Sequence, residues 1–306
     1  MNLEFSAFEF LSASARQWRA VACLGFLLCA ASTSHAATQW TDLLDKTLSK
    51  WDTYLSYQHK VGYDGSQPVG ADGKPLEAIG YNKDATHVFS VEEIDGKLAV
   101  HVSGEFYGCI ITKQEFENYR LKLKVKWGTK KWPPRLDKLR DGGVLYHSNG
   151  PCGVDYWRAW ARSQEFQIME GHMGDYWSIE SSAIDIRAYL PEGTMNSVAD
   201  ATQSFLAFGA KPSVSGFCLR HENAESKPGE WTDVELVCFK GKSLHIINGH
   251  VVMVLKNSRY MKDGVAVPMT KGKIQLQSEA GELYYADVKI QEIDSLPQEY
   301  EALFVE

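Results

Sequence analysis

The chain has 306 residues, of which 44% are hydrophobic and 23% are charged, and its formal net charge is −7. This length suits one large β-sandwich or two small domains. Because the protein is mildly acidic and contains no block of basic residues, the composition argues against nucleic acid as a partner.

The first segment, residues 1–36, has the pattern of a secretory signal peptide. Arg16 and Arg19 form a basic region, the apolar run of residues 20–31 follows, and small residues precede a cleavage point after Ala36. The apolar run is too short to span a bilayer comfortably, and no second apolar stretch approaches that length. An uncleaved anchor and a buried core helix are the alternatives. The pattern predicts export to the periplasm or the extracellular space, with no membrane contact beyond the cleaved leader.

Residues 37–84 are predicted to form a short helix and a loop that precede the main domain. The loop is indicated by a stretch rich in Gly, Pro and Asp. A short amphipathic helix within residues 38–60 is indicated by apolar residues at helical spacing, namely Leu43, Leu44, Leu48 and Trp51.

From residue 85 the pattern changes to strands and turns. In the run 119–127 (YRLKLKVKW) apolar residues alternate with lysines, which is typical of an antiparallel strand with one solvated face. Gly241-Lys242 and Asn248-Gly249 mark hairpin turns between later strands. About a dozen strands, little helix and no internal repeat predict an all-β fold, a two-sheet antiparallel sandwich that occupies residues 85–306 as one domain.

Four cysteines lie beyond the leader, and they are Cys109, Cys152, Cys218 and Cys238. An even number in an exported chain is compatible with disulfides in three connectivities. Cys218 and Cys238 lie in strand-like runs and could pair across neighbouring strands, whereas buried free cysteine is also common. The spacing matches no zinc site, and the sequence alone assigns no pairing.

The densest group of aromatic and polar residues lies in the window 141–177. Aromatic rings stack on the apolar faces of sugars, and carboxylate, amide and guanidinium groups hydrogen-bond their hydroxyls, so this combination predicts a carbohydrate site. For any single aromatic residue, packing in a sandwich core is the alternative. The predicted substrate-binding residues are Asp141, Tyr146, His147, Trp157, Trp160, Arg162, Gln167, Asp175 and Trp177.

Glu165, Glu170 and His172 are the predicted catalytic residues. Strand alternation places Glu165 and Gln167 on one face, and Glu170 reaches that face only if a bulge near the end of the strand shifts the register. Two converging carboxylates could act as acid, base or nucleophile in glycosidic cleavage. The alternative is a pair of surface glutamates on an exposed strand.

No cofactor is predicted. His172 and Asp175 lie on the turn that follows the strand, where they could bind sugar or a hard cation such as calcium. Carboxylate spacing alone does not specify a metal, so a structural calcium is the minor alternative.

Three segments of the chain carry a family resemblance. They are residues 141–147 (DGGVLYH), residues 165–177 (EFQIMEGHMGDYW) and a C-terminal group that includes residues 272–279 (GKIQLQSE). In combination they resemble the 3-keto-disaccharide hydrolase domain family, a secreted bacterial group with a concanavalin-like jelly roll, over roughly residues 85–293. One departure is Tyr285-Ala286-Asp287, which stands where the family often has an aromatic-Arg-Asn triplet.

The resemblance implies cleavage of a glycoside whose sugar carries a ketone at C3. The ketone acidifies the C2 proton, so a carboxylate base can remove that proton while the C1 aglycone leaves, and water then adds. Glu165 or Glu170 would be the base, and the other carboxylate or His172 would assist departure of the aglycone. The neighbouring predicted binding residues would orient the sugar.

Two other functions stay open at this point. The Glu-x-Gln-x-x-Glu run of residues 165–170 also resembles the Glu-x-Asp-x-x-Glu strand of laminarinase-type enzymes, which implies direct hydrolysis of an ordinary β-glycoside, although Gln167 occupies the Asp place. A carbohydrate-binding module is the non-enzymatic alternative, because sandwiches of this kind also serve as lectins. A carbohydrate ligand is common to all three interpretations, and the oligomeric state is not predicted.

Overall fold

The computed structural model describes residues 39–305, and that part of the chain consists almost entirely of β-strands. The predicted signal peptide, residues 1–36, lies outside the described residues. In chain order the elements are β1 (Thr41–Asp42), β2 (Trp51–Leu55), β3 (Gly80–Tyr81), β4 (Phe89–Ile94), β5 (Lys97–Val102), β6 (Gly108–Thr112), β7 (Tyr119–Lys131), β8 (Asp141–Asn149), β9 (Arg162–Met169), β10 (Tyr176–Ile179), β11 (Ser182–Tyr189), β12 (Val198–Ala199), β13 (Phe205–Gly209), β14 (Phe217–Cys218), β15 (Thr232–Phe239), β16 (Lys242–Ile247), β17 (His250–Lys262), β18 (Val265–Pro268), β19 (Lys273–Ser278), β20 (Gly281–Glu292), α1 (Gln298–Glu301) and a 3-10 helix (Ala302–Phe304).

The strands form two antiparallel sheets. The large sheet has the order β12-β11-β17-β16-β15-β7-β20-β5-β4, with β1, β13 and β18 paired to β20, β11 and β17. The small sheet has the order β14-β10-β9-β8-β19-β6-β2-β3. Residues of both sheets contribute to one apolar core, which confirms the predicted all-β jelly-roll sandwich.

The alternation predicted for residues 119–127 is present in β7. Leu121, Leu123 and Val125 are buried in the core, and the lysines between them lie half-buried on the other face of the large sheet. The strict two-residue period therefore identifies both the strand and its inward face.

The small sheet is covered on both faces. On its inner face, Val144 of β8 and Phe166 of β9 belong to the core shared with the large sheet. On its outer face, Leu145 of β8 packs with Trp160 of the segment 150–161, which folds back over the sheet between β8 and β9. Polar side chains on this outer face are therefore screened from water wherever the segment covers them.

The helix predicted within residues 38–60 is wrong, because this segment forms β1, a turn and β2. The Asp45 side chain accepts hydrogen bonds from the backbone N–H groups of Thr47 and Ser49, at 2.8 and 3.1 Å, and Leu48 adopts a φ of 52°. Such side-chain to backbone bonds compete with a helix. The helical spacing of the apolar residues arises from a turn followed by a strand.

The segment 39–84, predicted as an extension before the main domain, supplies β1, β2 and β3. β2 pairs with β6, β3 pairs with β2, and Thr41 of β1 lies opposite Ile290 of β20. Both sheets therefore continue across the boundary predicted at residue 85. Within residues 39–305, no helix has the length and apolar character needed to cross a membrane.

A polar bridge crosses the core between the two sheets. The Tyr146 hydroxyl on β8 lies 2.9 Å from Ser243 Oγ and 3.3 Å from His245 Nε2, both on β16. His245 Nδ1 donates to the carbonyl of Gly174 at 3.1 Å, so Nε2 is the acceptor and the Tyr146 hydroxyl donates to it. Burial lowers the pKa of His245 to about 3, which keeps this ring neutral.

The substitution Tyr146→Phe should lower the free energy of unfolding by about 1–3 kcal/mol, because two buried polar groups lose their partner. Urea denaturation measures the change. Tyr189 is exposed, so Tyr189→Phe is the matched control, with an expected change within about 0.5 kcal/mol. An effect of Tyr146→Phe as small as that of the control would show that the bridge does not stabilise the fold.

Candidate active site

A cavity of about 480 Å3 lies on the outer face of the small sheet, beside the segment 150–161. Its volume is in the range of small-molecule sites. Strands β8 and β9 supply a polar floor, and aromatic residues of β10, β14 and the segment 150–161 supply the walls. The segment 150–161 therefore both covers part of the outer face of the small sheet and forms one wall of the cavity.

Arg135 provides a positive charge at the floor of the cavity. Its Nη2 donates to Glu279 Oε1 at 2.7 Å and also forms an ion pair with Asp141. Asp141 accepts a further hydrogen bond from the side-chain amide of Gln167. Burial raises the pKa of Asp141 and Glu279 above the ordinary carboxyl range, and the Arg135 charge opposes the rise for both.

Glu165 is the floor carboxyl that Arg135 does not pair with. Its side chain is buried, and within the described residues the ion pairs of Arg135 go to Asp141 and Glu279 instead. Burial raises the pKa of Glu165 well above the ordinary carboxyl range, and the neighbouring carboxyls of Glu279 and Asp141 raise it further. Glu165 therefore retains its proton at a pH where an exposed glutamate is ionised.

Gly143 leaves the space that the Glu165 side chain occupies. It lies on β8 opposite Gln167, and a Cβ at this position would come within 2.7 Å of Glu165 Oε1 and closer still to Gln277 Oε1. Gln277 is buried, and neither its amide oxygen nor its nitrogen has a hydrogen-bond partner among the described residues. A glycine is therefore required at this position, because any side chain would collide with Glu165 and Gln277.

His172 is held by a buried carboxylate. Its Nδ1 lies 3.0 Å from Asp175 Oδ2, while the Arg220 backbone N–H and Nη1 donate to Asp175 Oδ1 at 2.9 and 3.0 Å. Arg220 Nη1 lies farther from Nδ1, at 3.4 Å, so the contact with Asp175 makes Nδ1 the donor. Nε2 is then the ring nitrogen that can accept a proton from a ligand.

Two aromatic groups border the cavity. Trp177 of β10 and Phe217 of β14 pack with ring centroids 4.5 Å apart, and Trp177 is 43% exposed. In the segment 150–161, Tyr156 is exposed and Trp157 stacks on Tyr63 at 5.2 Å. Exposed aromatic faces beside a polar floor match the apolar and hydroxylated faces of a sugar ring.

Asp155 gives the segment 150–161 its shape. Its carboxylate accepts hydrogen bonds from the backbone N–H groups of Trp157, Ala159 and Trp160, at 2.8, 2.8 and 2.7 Å. Trp160 Nε1 donates to the carbonyl of Gly108 on β6 at 2.9 Å. The aromatic wall is therefore fixed to the sheet by hydrogen bonds as well as by packing.

Most of the predicted site residues meet in this cavity. They come from β8, β9 and β10, which are adjacent in the small sheet, from the turn between β9 and β10, and from the segment 150–161. The predicted residues that line the cavity are Asp141, Trp157, Trp160, Glu165, Gln167, His172, Asp175 and Trp177.

The predicted position of Glu170 requires correction. No bulge shifts the register at the end of β9, where Met169 still lies opposite Asp141. Glu170 follows the strand and forms an ion pair with Arg140 at 2.7 Å, away from the residues that line the cavity. Glu165 and Glu170 therefore do not converge on one site.

Three predicted binding residues also lie elsewhere. Tyr146 faces the core, where it forms the polar bridge. A register shift between β8 and β9 after Tyr146 and a φ of 53° turn His147 into the core as well, against Tyr119. Arg162 forms an ion pair with Glu180 at 3.0 Å. Glu180 lines the cavity, whereas Arg162 does not.

Among the cavity residues that the sequence did not predict are Arg135, Asp155, Glu279 and Phe217. Glu279 ends the family-like segment 272–279, and Asp155 lies inside the window 141–177, so both had an available signal. Arg135 and Phe217 lie outside every motif that was recognised.

Across residues 39–305, no group of three or more His, Cys, Asp or Glu side chains is arranged to hold a metal ion. Both carboxylate oxygens of Asp175, the predicted calcium alternative, contact protein nitrogens. Function without a cofactor stays a prediction.

Solved structures with a similar chain trace include carbohydrate-related proteins. A protein of Parabacteroides distasonis ATCC 8503, provisionally named a glycosyl hydrolase, is 19% identical, with 83% of this chain and 100% of that chain covered and a TM-score of 0.44. LamA from Z. galactanivorans, in complex with laminaritriose and laminaritetraose, is 10% identical, with 83% and 98% covered and a TM-score of 0.39. A carbohydrate binding module from Bacillus subtilis is 7% identical, with 67% and 92% covered and a TM-score of 0.36. Because these identities and scores are low, they carry no argument about activity.

A family model gives the decisive comparison. No curated protein matches the chain. The model of the 3-keto-alpha-glucoside-1,2-lyase-like domain, however, matches residues 39–291, which include both sheets and the whole cavity. This match confirms the family that the segments 141–147 and 165–177 predict, and the chain therefore belongs to the family of 3-keto-alpha-glucoside-1,2-lyase-like domains.

Proposed function

We propose that the protein cleaves 3-keto-glycosides by elimination, with His172 as the base and Glu165 as the acid. The observation that carries this proposal is the presence, in one cavity, of a histidine held by Asp175 and a buried carboxyl with a raised pKa. Two titratable groups with such different environments are typical of an acid and base pair.

The base removes the proton from C2 of the sugar. A ketone at C3 acidifies this proton, because the resulting negative charge is shared with the carbonyl oxygen. His172 Nε2 is suited to accept the proton, since Nδ1 donates to Asp175 and the buried Asp175 carboxylate stabilises the imidazolium that forms. Asp175 acts by positioning the ring and by its charge.

The acid protonates the departing oxygen at C1. Glu165 carries the required proton, because burial and the neighbouring carboxyls keep its pKa high. Loss of the C2 proton and of the C1–O bond leaves a C1–C2 double bond and a free aglycone alcohol. Addition of water across that double bond then gives the 3-keto sugar, so the net reaction is hydrolysis.

The remaining groups of the cavity bind the sugar. Asp141 and Gln167 are hydrogen-bonded to each other at the floor and present polar atoms to sugar hydroxyls. Trp177 offers an exposed ring face on which a sugar ring or an aglycone can stack. The direct hydrolysis of an ordinary β-glycoside by a Glu165 and Glu170 pair lacks this support, because Glu170 is bound to Arg140 outside the cavity.

An assay on paired substrates tests the proposed function. A methyl glucoside and its 3-keto counterpart should differ completely, with methanol released from the keto form alone, because only that form has an acidic C2 proton. In deuterated water the sugar product should gain deuterium at C2, beyond the exchange seen when the product is incubated without enzyme. Release from the unoxidised glucoside would indicate an ordinary glycosidase, and saturable binding without release would indicate a binding module.

Variants of the acid and the base should respond differently to the aglycone. Glu165→Gln should reduce kcat about 100-fold or more on the methyl 3-keto-glucoside and much less on the 4-nitrophenyl one, because nitrophenolate leaves without a proton. His172→Gln should reduce kcat about 100-fold on both, because each substrate must lose its C2 proton. Glu170→Gln is the control and should retain wild-type activity on both. Equal losses of Glu165→Gln on the two substrates would remove Glu165 from the role of acid.

The raised pKa of Glu165 predicts a pH dependence. The acid must be protonated, so kcat/KM on the methyl 3-keto-glucoside should fall as pH rises through a pKa well above the ordinary carboxyl value. This alkaline decrease should be absent with Glu165→Gln and weak with the nitrophenyl substrate. A decrease centred at an ordinary carboxyl pKa would contradict the assignment.

A further inference from the structure

Two cysteines beneath the aromatic wall lie in contact. Cys109 Sγ on β6 is 3.8 Å from Cys152 Sγ at the start of the segment 150–161, and both residues are buried. Gln275 Oε1 accepts hydrogen bonds from the Cys109 thiol and from the backbone N–H of Ala161. The Gln275 side chain therefore connects β6 to the end of the segment 150–161. A disulfide has an S–S distance of about 2.05 Å, so the bond requires the two sulfurs to move closer together than they lie here.

The other two cysteines have different surroundings. Cys218 lies on β14 at the edge of the small sheet, with its thiol directed to the carbonyls of Ser197 and Leu219. Cys238 lies on β15 of the large sheet and belongs to the core. The pairing of Cys218 with Cys238 that the sequence left open is therefore unsupported, because the two residues lie in different sheets and no contact joins them within the described residues.

We propose that Cys109 and Cys152 are the site of a disulfide that fastens the segment 150–161 to β6. The oxidant is a disulfide of the glutathione class. The Cys152 thiolate attacks one oxidant sulfur and releases a glutathione thiolate, and the Cys109 thiolate then displaces the second glutathione from Cys152. One S–S bond forms in the protein, one breaks in the oxidant, and the two thiol protons pass to the two released glutathiones.

The surroundings of the two thiols agree with this order of events. Hydrogen bonding by Cys109 and by the Tyr81 hydroxyl lowers the pKa of the Cys152 thiol, whereas burial raises the pKa of Cys109. The lower pKa favours Cys152 as the first nucleophile. An exported chain, which the leader predicts, meets disulfide oxidants as the segment folds onto the sheet and brings the two thiols together.

The disulfide would act on the wall of the cavity. The segment that begins at Cys152 carries Asp155, Tyr156, Trp157 and Trp160, all of which line the cavity. A covalent bond at its start limits how far these residues can move from β6. The proposed bond does not depend on the proposed reaction, so the failure of either can be recognised without the other.

Peptide mapping tests the bond directly. The full chain is refolded with glutathione disulfide, denatured, alkylated with iodoacetamide and digested with trypsin. We expect the peptide 98–113, which contains Cys109, to be joined to the peptide 141–158, which contains Cys152, while Cys218 and Cys238 carry the alkyl group. Alkylation of both Cys109 and Cys152, or a bond that joins either to another cysteine, would overturn the proposal.

Thermal unfolding with matched variants tests the consequence. Reduction with dithiothreitol should lower the Tm of the oxidised wild-type protein by about 5–10 °C, because the bond restricts the unfolded chain. The Tm of the double variant Cys218→Ala, Cys238→Ala should fall by the same amount on reduction. The Tm of the double variant Cys109→Ala, Cys152→Ala should not change when the reductant is added. The same response in both double variants, or no response in the wild type, would overturn the proposal.

Discussion

The ion pairs of Arg135 with two buried carboxyls determine the chemistry of the cavity. Asp141 and Glu279 lie where an uncompensated negative charge is unfavourable, and one guanidinium compensates both. The neighbouring Glu165 has no such direct partner, and burial together with the nearby carboxyls raises its pKa. Asp141 and Glu279 therefore differ from Glu165 in having the Arg135 guanidinium as a direct partner, although burial raises the pKa of all three carboxyls.

This charge arrangement depends on the small sheet being covered on both of its faces. The inner face of the small sheet is buried by the core, and the outer face is buried in part by the segment 150–161. Gln275 and Asp155 hold that segment with side-chain to backbone hydrogen bonds. Without the segment, Glu165 would lie on a solvated sheet face and its pKa would return toward the ordinary carboxyl range.

The parts of the structure that follow from local periodicity were predictable. The alternation in β7 and the face shared by Glu165 and Gln167 were read correctly, because a strand repeats every two residues. The helix within residues 38–60 was wrong, because apolar spacing alone cannot distinguish a helix from a turn that precedes a strand.

The chemistry of the site was less predictable than its position. Arg135 lies outside the recognised motifs, and Glu279, although it ends the family-like segment 272–279, meets Arg135 only through the tertiary fold. Glu170 lies outside the cavity because the register of β9 is regular to its end, so no bulge turns Glu170 to the face of Glu165. The cavity contains Glu165 and His172, whereas Glu170 pairs with Arg140 outside it.

The order of strands in the large sheet restricts when the protein can finish folding. β20, the last strand, lies between β7 and β5, and it also pairs with β1 near the start of the described chain. During synthesis, β7 and β5 therefore present unpaired edges until residues 281–292 have emerged. Such edges pair readily with any extended chain, so a nascent or truncated product is prone to aggregation. A nonsense mutation before β20 would remove the strand that joins β7 to β5 and leave each of these strands with one unpaired edge.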